Sequence, residues 1–421
     1  MMLEFNYIDI EEIVFGDKTC IDGKRLLVCK KEVIDLVMQD SKIESVKIYI
    51  TMPGDSTRIL SVKDVIEPRV KLNKDGGYFG GVLSSVDYTG VGKTLVLRGT
   101  SVMLTGPFEE FMEGVVDMSG PGAEVVPFSK LNNLVLWIKT ISGLDYGMNK
   151  EVQKMAGRKV SIFLAEKAIG ETPSEIKTYK WDAIDNDLPR IGQIFMLSTR
   201  SPNDAYLYGN DIAPIIPTII SPLAAIDGAT ENVSCRVNAH RHTTYQHQNN
   251  PVVIDALERH LKEFNFAGVI VTLERISHEE KEKNSTLAAN LAELLRLDGV
   301  IITEENAGNP DADLMMVCRK MEYKGIKTVL ITDECAGEDG TSPGLADTTP
   351  EANAVISTGN ANSGILLPPM GKVIGDLSSI GKINGTYNDS IKPDGSIWME
   401  LLGIPSCCSE LGDGKMTCIT I

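Results

Sequence analysis

Apolar and polar positions divide the chain into two differently patterned parts. Before about residue 130 the apolar stretches are short and rich in β-branched residues, as in VKIYITM (46–52), RILSVKDVI (58–66) and KTLVLRGTSVMLTG (93–106), and LVLWIKT (134–140) lies just beyond. Turn sequences such as PGD and DGG separate them, so this part reads as a mostly β unit. A helix is predicted over about 150–169, closed by glycine, and it leads to a connector holding the strand QIFMLST (193–199).

After residue 250 the alternation is regular. Helices predicted over 254–264, 278–296 and 311–324 precede the apolar strands AGVIVTL (267–273), GVIITEE (299–305) and KTVLITDE (327–334), and AVISTG (354–359) and GILLPP (364–369) follow. Continuous apolar strands joined by helices describe a doubly wound parallel sheet. Such sheets take ligands at the carboxyl ends of their strands, where this chain places Glu274, Glu304, Glu305, Asp333, Glu334 and Asn360. The same residue types also serve as helix caps and solvated loop positions. Residues 201–252, between the two parts, are neither clearly helix nor strand. A long irregular segment with this apolar content points to function rather than disorder.

Composition narrows the class. At 421 residues the chain is long enough for two or three domains, and its net charge of −17 repels phosphate backbones, so no nucleic-acid partner is expected. The long apolar stretch Ile215 to Ile226 contains prolines and is too short to span a bilayer, and the first residues lack a basic signal-peptide region. A cytoplasmic protein without membrane contact is expected. Of eight cysteines, Cys20, Cys29, Cys235, Cys318 and Cys335 are single, and Cys407, Cys408 and Cys418 cluster without C-x-x-C spacing. Free thiols are the expected state.

Several motifs invite chemistry. TGVGKT (89–94) looks like a phosphate loop, but it lacks the first glycine, has Asp87 there, and runs into the β-rich TLVLRG, so a hairpin turn is expected and no nucleotide. DMSGPGAE (117–124) reads as a glycine-proline turn. His240, His242 and His247 are open to three readings: metal ligands, a proton carrier beside Cys235, or ordinary polar residues. Cys235 itself is either a nucleophile or an inert buried thiol. Tyr245, Asn249 and Asn250 can line a polar pocket or cap turns.

The stretches IVFGDKT, SVKDVIEPRVK, EGVVDMSGPGAEVVPFSK, YLYGNDIAPIIPT, TTYQHQNNPV, DGVIITEENAGNPDADLMM, KGIKTVLITDECAGEDG and PDGSIWME together resemble, over essentially the whole chain, the component B proprotein of the clostridial glycine, sarcosine and betaine reductases. The resemblance implies autocatalytic cleavage between Ser234 and Cys235, giving an α and a β chain, with a pyruvoyl-type carbonyl derived from Cys235 at the new terminus. No metal or nucleotide cofactor is implied. The familiar motif has asparagine before the cysteine and a second cysteine followed by aspartate, whereas this chain has Ser234, Ala239 and His240. On this reading the domains are a β-rich unit over 1–145, an α/β connector over 146–234 ending at the cleavage site, and a doubly wound α/β domain over 235–421. Cys235, His240 and His242 become the expected catalytic residues. Tyr245, His247, Asn249, Asn250, Glu304, Glu305, Asp333 and Glu334 become the expected contacts to a small amine substrate. The implied partners are a selenocysteine-containing component B subunit, the small selenoprotein A, and component C, which makes acetyl phosphate, in a hetero-oligomer. An uncleaved paralogue acting as a binding partner is the alternative.

Overall fold

A computed structural model describes residues 1–73, 75–181, 184–185, 187–199 and 204–412, which leaves Cys418 outside the described residues. The β-rich first part forms two larger sheets. One has the order Glu175–Lys180, Met2–Asp9, Gly92–Arg98, Arg69–Lys71. The other has the order Gly114–Asp117, Thr57–Ile66, Thr100–Thr105, Asn132–Thr140, Ile43–Thr51. The stretch read as one β-rich run over 93–106 is thus two strands in different sheets. The break is Gly99, whose φ of +88° and whose approach to the Ile10 carbonyl, 2.6 Å from where a Cβ would sit, exclude a side chain.

All ten residues of Thr57–Ile66 are buried, because both faces of this sheet are covered. On one face the helix Tyr146–Glu166 packs Ala156 and Val160 against Ile66, Leu104 and Leu134. Asp145 caps the helix through Met148 N–H at 2.8 Å. On the other face the chain returns late, with Ile374, Ile397 and Ile404 against Ile59, Val62 and Val65. Lys372–Ile374 even adds a parallel pairing to Thr57–Ile66.

The third sheet is the doubly wound one, in the order Thr218–Ile220, Asn265–Glu274, Arg190–Ser198, Gly299–Thr303, Lys327–Glu334, Val355–Asn360. Its strands are parallel apart from Thr218–Ile220. One face packs Ile194, Met196 and Ile270 against the helices His278–Leu294 and Asn309–Tyr323. The opposite face packs Phe195, Leu197 and Val271 against the helix Pro251–Arg259 and against Leu3 and Phe5 of the first strand. The strand from the stretch read as connector, Arg190–Ser198, is therefore interior to this sheet. The GILLPP segment leaves it, since Gly364–Leu367 pairs antiparallel with Ile397–Glu400. Parallel strands share one end, so Ser198, Glu274, Glu304, Asp333 and Asn360 are delivered to the same side of the molecule.

Candidate functional site

The irregular segment closes over those strand ends. It is anchored by Val237 N–H to the Met112 carbonyl at 3.0 Å, Ala239 N–H to the Leu402 carbonyl at 3.1 Å and Cys408 N–H to the Ala239 carbonyl at 3.2 Å, around a turn closed by Arg241 N–H to Asn238 at 3.1 Å. It then turns into the short helix Thr244–Gln248 through a capping box between Thr243 and Gln246. His240 Nδ1 pairs with Oδ2 of Asp333. The backbone N–H of His242 donates to Glu305 Oε1 at 3.3 Å, while Ser198 N–H donates to Glu305 Oε2 at 3.1 Å.

His242 and His247 lie with ring centres 6.0 Å apart, both against Phe195. They are buried, and among the described residues neither ring nitrogen of either residue has a hydrogen-bond partner. Burial holds both imidazoles neutral: His242 is pushed well below its ordinary value, and His247 down to about 3, aided by the charge of Lys154.

Around them the strand ends form a dense buried carboxylate group. Glu274, Glu304 and Glu410 are pushed well above the usual carboxylate range, first by desolvation and then by a neighbouring carboxylate, Glu305 for Glu274, Asp311 for Glu304 and Glu304 for Glu410. Glu305 is raised too, against the pull of Arg241. Glu274 Oε2, Glu304 Oε2, Asp333 Oδ1 and Glu410 Oε1 have no hydrogen-bond partner among the described residues. Such a group favours a cationic guest that replaces the lost solvent. Beside it a cleft of about 230 Å³ is lined by Pro127, Lys130, Thr358, Gly359, Cys407 and Cys408.

Cys235 sits in a different electrostatic setting. It is buried and left-handed, with φ +55°, a conformation costly for a residue with a side chain. Ser234 is fixed just before it, donating both its N–H and its hydroxyl to Asn232 Oδ1 at 2.8 Å. Desolvation pushes the Cys235 thiol up to about 11, and the charges of Lys154, Lys63 and Lys150 oppose this. Lys63 pairs with Glu113 and Glu109, Lys154 with Asp64, and Lys150 Nζ lies 3.5 Å from Asp204. Asp64 also accepts from Thr244 N–H at 2.8 Å and Thr244 hydroxyl at 2.6 Å. Lys154 thus influences both Cys235 and His247, and Asn232 donates to the His242 carbonyl. The cysteine and the histidines belong to one buried polar network, joined through Lys154, Asp64, Thr244 and Asn232.

The remaining residues singled out from the sequence have local roles. Tyr245 packs edge-on to Phe128 at 5.9 Å. Asn249 accepts from Arg69 at 2.8 Å and donates to Glu67 at 3.2 Å. Asn250 caps Pro251–Arg259 through Val252 and Val253. Glu334 is half-buried beside Gly344.

The sequence profile of the family described as glycine/sarcosine/betaine reductase component B subunits matches residues 1–419. The chain belongs to this family. It is 44% identical, over the full length of both chains, to the glycine reductase complex component B subunits alpha and beta of Acetoanaerobium sticklandii. It is 40% identical, over 99% of each chain, to the sarcosine reductase complex component B subunit alpha of Peptoclostridium acidaminophilum. A more distant relative, the D-proline reductase proprotein of Acetoanaerobium sticklandii, is 21% identical over 78% of this chain and 54% of its own. No solved structure matches. Membership makes the chain an oxidoreductase subunit of a multi-component reductase complex. Among the described residues no helix is long and apolar enough to cross a membrane.

In this component B member, sequence reasoning missed the lysines. Lys150, Lys154 and Arg158 recur every four residues on one helix face, a signature that ordinarily marks a solvated stripe, yet all three are buried. Lys63 is hidden likewise in a fully buried strand that also carries Arg58 and Asp64.

Proposed function

We propose that the chain is the proprotein of the substrate-activating subunit of an amine reductase, cleaved between Ser234 and Cys235. The observation that carries this reading is Cys235 itself, a strained residue buried among three lysines and next to a rigidly held Ser234. The thiol, losing its proton to a neutral amine, attacks the Ser234 carbonyl, and the peptide bond becomes a thioester with Cys235 nitrogen free. Lys150, whose pKa burial lowers, is the one of the three whose amine is favoured in the neutral form that this base role needs. Removal of the Cys235 α-proton then breaks the Cβ–S bond, so sulfur leaves on Ser234 as a thiocarboxylate and dehydroalanine remains. Water replaces ammonia on its imine tautomer, leaving a ketone at the terminus of residues 235–421.

That ketone condenses with the nitrogen of glycine or sarcosine, with loss of water, and the resulting imine or iminium draws electrons from the C–N bond to be broken reductively. The buried carboxyl groups of Glu304 and Asp333 favour an ammonium guest that replaces their lost solvent, and His240, paired with Asp333, carries protons beside it. Betaine has no N–H and cannot condense in this way. Partner subunits, a selenocysteine-containing component B chain, selenoprotein A and component C, then complete the reduction to acetyl phosphate in the cytoplasm. The name of the full-length relative, one chain given as subunits alpha and beta, supports the cleavage.

Intact mass under denaturing conditions tests the first half: two chains, 1–234 and a blocked 235–421, with Cys235→Ala remaining one chain. Borohydride with labelled glycine or sarcosine tests the second, and label must appear on 235–421. A single chain in the active complex refutes the reading. It favours instead an uncleaved binding partner, which the burial of Cys235 and its thiol pushed up to about 11 would suit.

A further inference from the structure

We infer that His242, His247 and Glu305 form a binding site for a divalent first-row transition metal, zinc in its simplest form. The inference goes beyond the function proposed above and does not depend on cleavage at Cys235.

Three observations carry it. One ligand atom from each of the three residues lies within 4.8 Å of the others. Tetrahedral zinc with bonds of about 2.0–2.1 Å places its donors about 3.4 Å apart, so modest side-chain rotation closes the set. Second, all four imidazole nitrogens are buried without a hydrogen-bond partner among the described residues, although a buried histidine ordinarily satisfies at least one. Third, the carboxylate is already oriented. Each oxygen of Glu305 accepts one backbone N–H, from His242 and from Ser198, which leaves a lone pair on each for a cation.

The sequence suggested His240, His242 and His247 as the ligands. The structure regroups them, because His240 is engaged by Asp333 in a separate cluster with Cys335, and Glu305 takes the third place. A cation here also offsets the charge of Glu305 and of Glu274, whose Oε1 accepts the Glu305 N–H at 2.5 Å. Two imidazoles and one carboxylate leave coordination positions open, the pattern of sites that bind water or a small substrate rather than purely structural ones. The carboxylate of an amino acid is a ligand of that class.

The full chain, stripped with chelator, reloaded anaerobically with Zn²⁺ and desalted, should retain about one metal per chain. His247→Gln and Glu305→Gln should each weaken retention by more than about tenfold, while His240→Ala and Cys335→Ser retain it. Loading with Co²⁺ gives a second readout on the unaltered chain: visible d–d bands of a low-symmetry site without thiolate charge transfer. Wild-type chain that retains no Zn²⁺ and develops no Co²⁺ bands overturns the inference. So does full retention in a His242→Ala, His247→Ala double variant. Intact mass, read on the same samples, reports cleavage separately.

Discussion

His242 and Glu305 meet through a backbone N–H and a carboxylate oxygen 3.3 Å apart, which ties the irregular segment to the end of a parallel strand. The other oxygen of Glu305 accepts from Ser198 at 3.1 Å, so one carboxylate bridges three separate parts of the chain. Glutamine cannot do this, because its amide presents one acceptor and one donor. Glu305→Gln should therefore leave one buried N–H facing an NH₂ group, at a cost of about 1–3 kcal/mol, measurable by urea unfolding with chelator present. An unchanged midpoint would mean that the bridge is not formed.

Lys154 and Asp64 form a fully buried pair, with Thr244 completing the carboxylate. Lys154→Met should cost about 3–5 kcal/mol because it strands a buried charge. Adding Asp64→Asn should recover part of that loss, and the interaction energy from the double-mutant cycle gives the coupling. Cleavage at Cys235 should slow in the single variant, since one of the charges favouring the thiolate is gone. Strictly additive effects would place the two residues apart.

The glycine-rich turn that imitates a phosphate loop has a packing explanation. Gly90 has φ +80° and lies where a Cβ would come within 2.6 Å of Ala224 N, and its N–H donates to Asp227 at 2.7 Å. Gly90→Ala should lower stability by about 2 kcal/mol or more. Lys93→Ala, at a side chain 60% exposed, should stay within about 0.5 kcal/mol. The opposite ranking in thermal unfolding would show that the turn serves something other than packing.

The strands and helices of the later part were legible because buried parallel strands are continuous apolar runs, and AGVIVTL, GVIITEE and KTVLITDE are such runs. QIFMLST was legible as a strand but not as an inner member of the same sheet, since sequence order says nothing about which strands become neighbours across crossovers. The polar centre was half legible. Acidic residues at the ends of predicted strands follow from the topology of parallel sheets, and Glu274, Glu304, Glu305 and Asp333 do converge, whereas Glu334 turns away to Gly344. The cradle of Lys63, Lys150 and Lys154 was not legible, because a buried lysine is recognisable only through partners distant in sequence, here Glu113, Asp204 and Asp64.

His247 gives a pH signature. Its imidazole is held neutral down to about pH 3 in the folded chain, whereas unfolding restores an ordinary value near 6.5. The unfolded state then binds the extra proton, so this residue's contribution to stability is complete above pH 6.5 and is lost as pH falls from 6.5 toward 3. Relative to His247→Asn, with chelator present, the wild type should lose about 1 kcal/mol per pH unit as pH falls from 6 to 4. Parallel curves for the two proteins would mean that the imidazole takes up its proton while folded.

Cleavage before Cys235 should not separate the two pieces. Arg190–Ser198, which would belong to the first piece, lies between Asn265–Glu274 and Gly299–Thr303, both from the second, with parallel pairing on each side. The second piece reciprocates, since Lys372–Ile374 pairs with Thr57–Ile66 and Ile397 and Ile404 fill the core beside it. Release would expose the backbone edges of Arg190–Ser198, Asn265–Glu274, Gly299–Thr303, Thr57–Ile66 and Lys372–Ile374 at once and the apolar surface of two cores, a penalty that the loss of one peptide bond does not offset. Gel filtration of the processed protein should therefore yield both pieces in equal amounts in a single peak, and only denaturant should resolve them. Dilution to nanomolar concentration should leave that peak intact. Separate elution of residues 235–421 in native buffer would contradict the shared sheet.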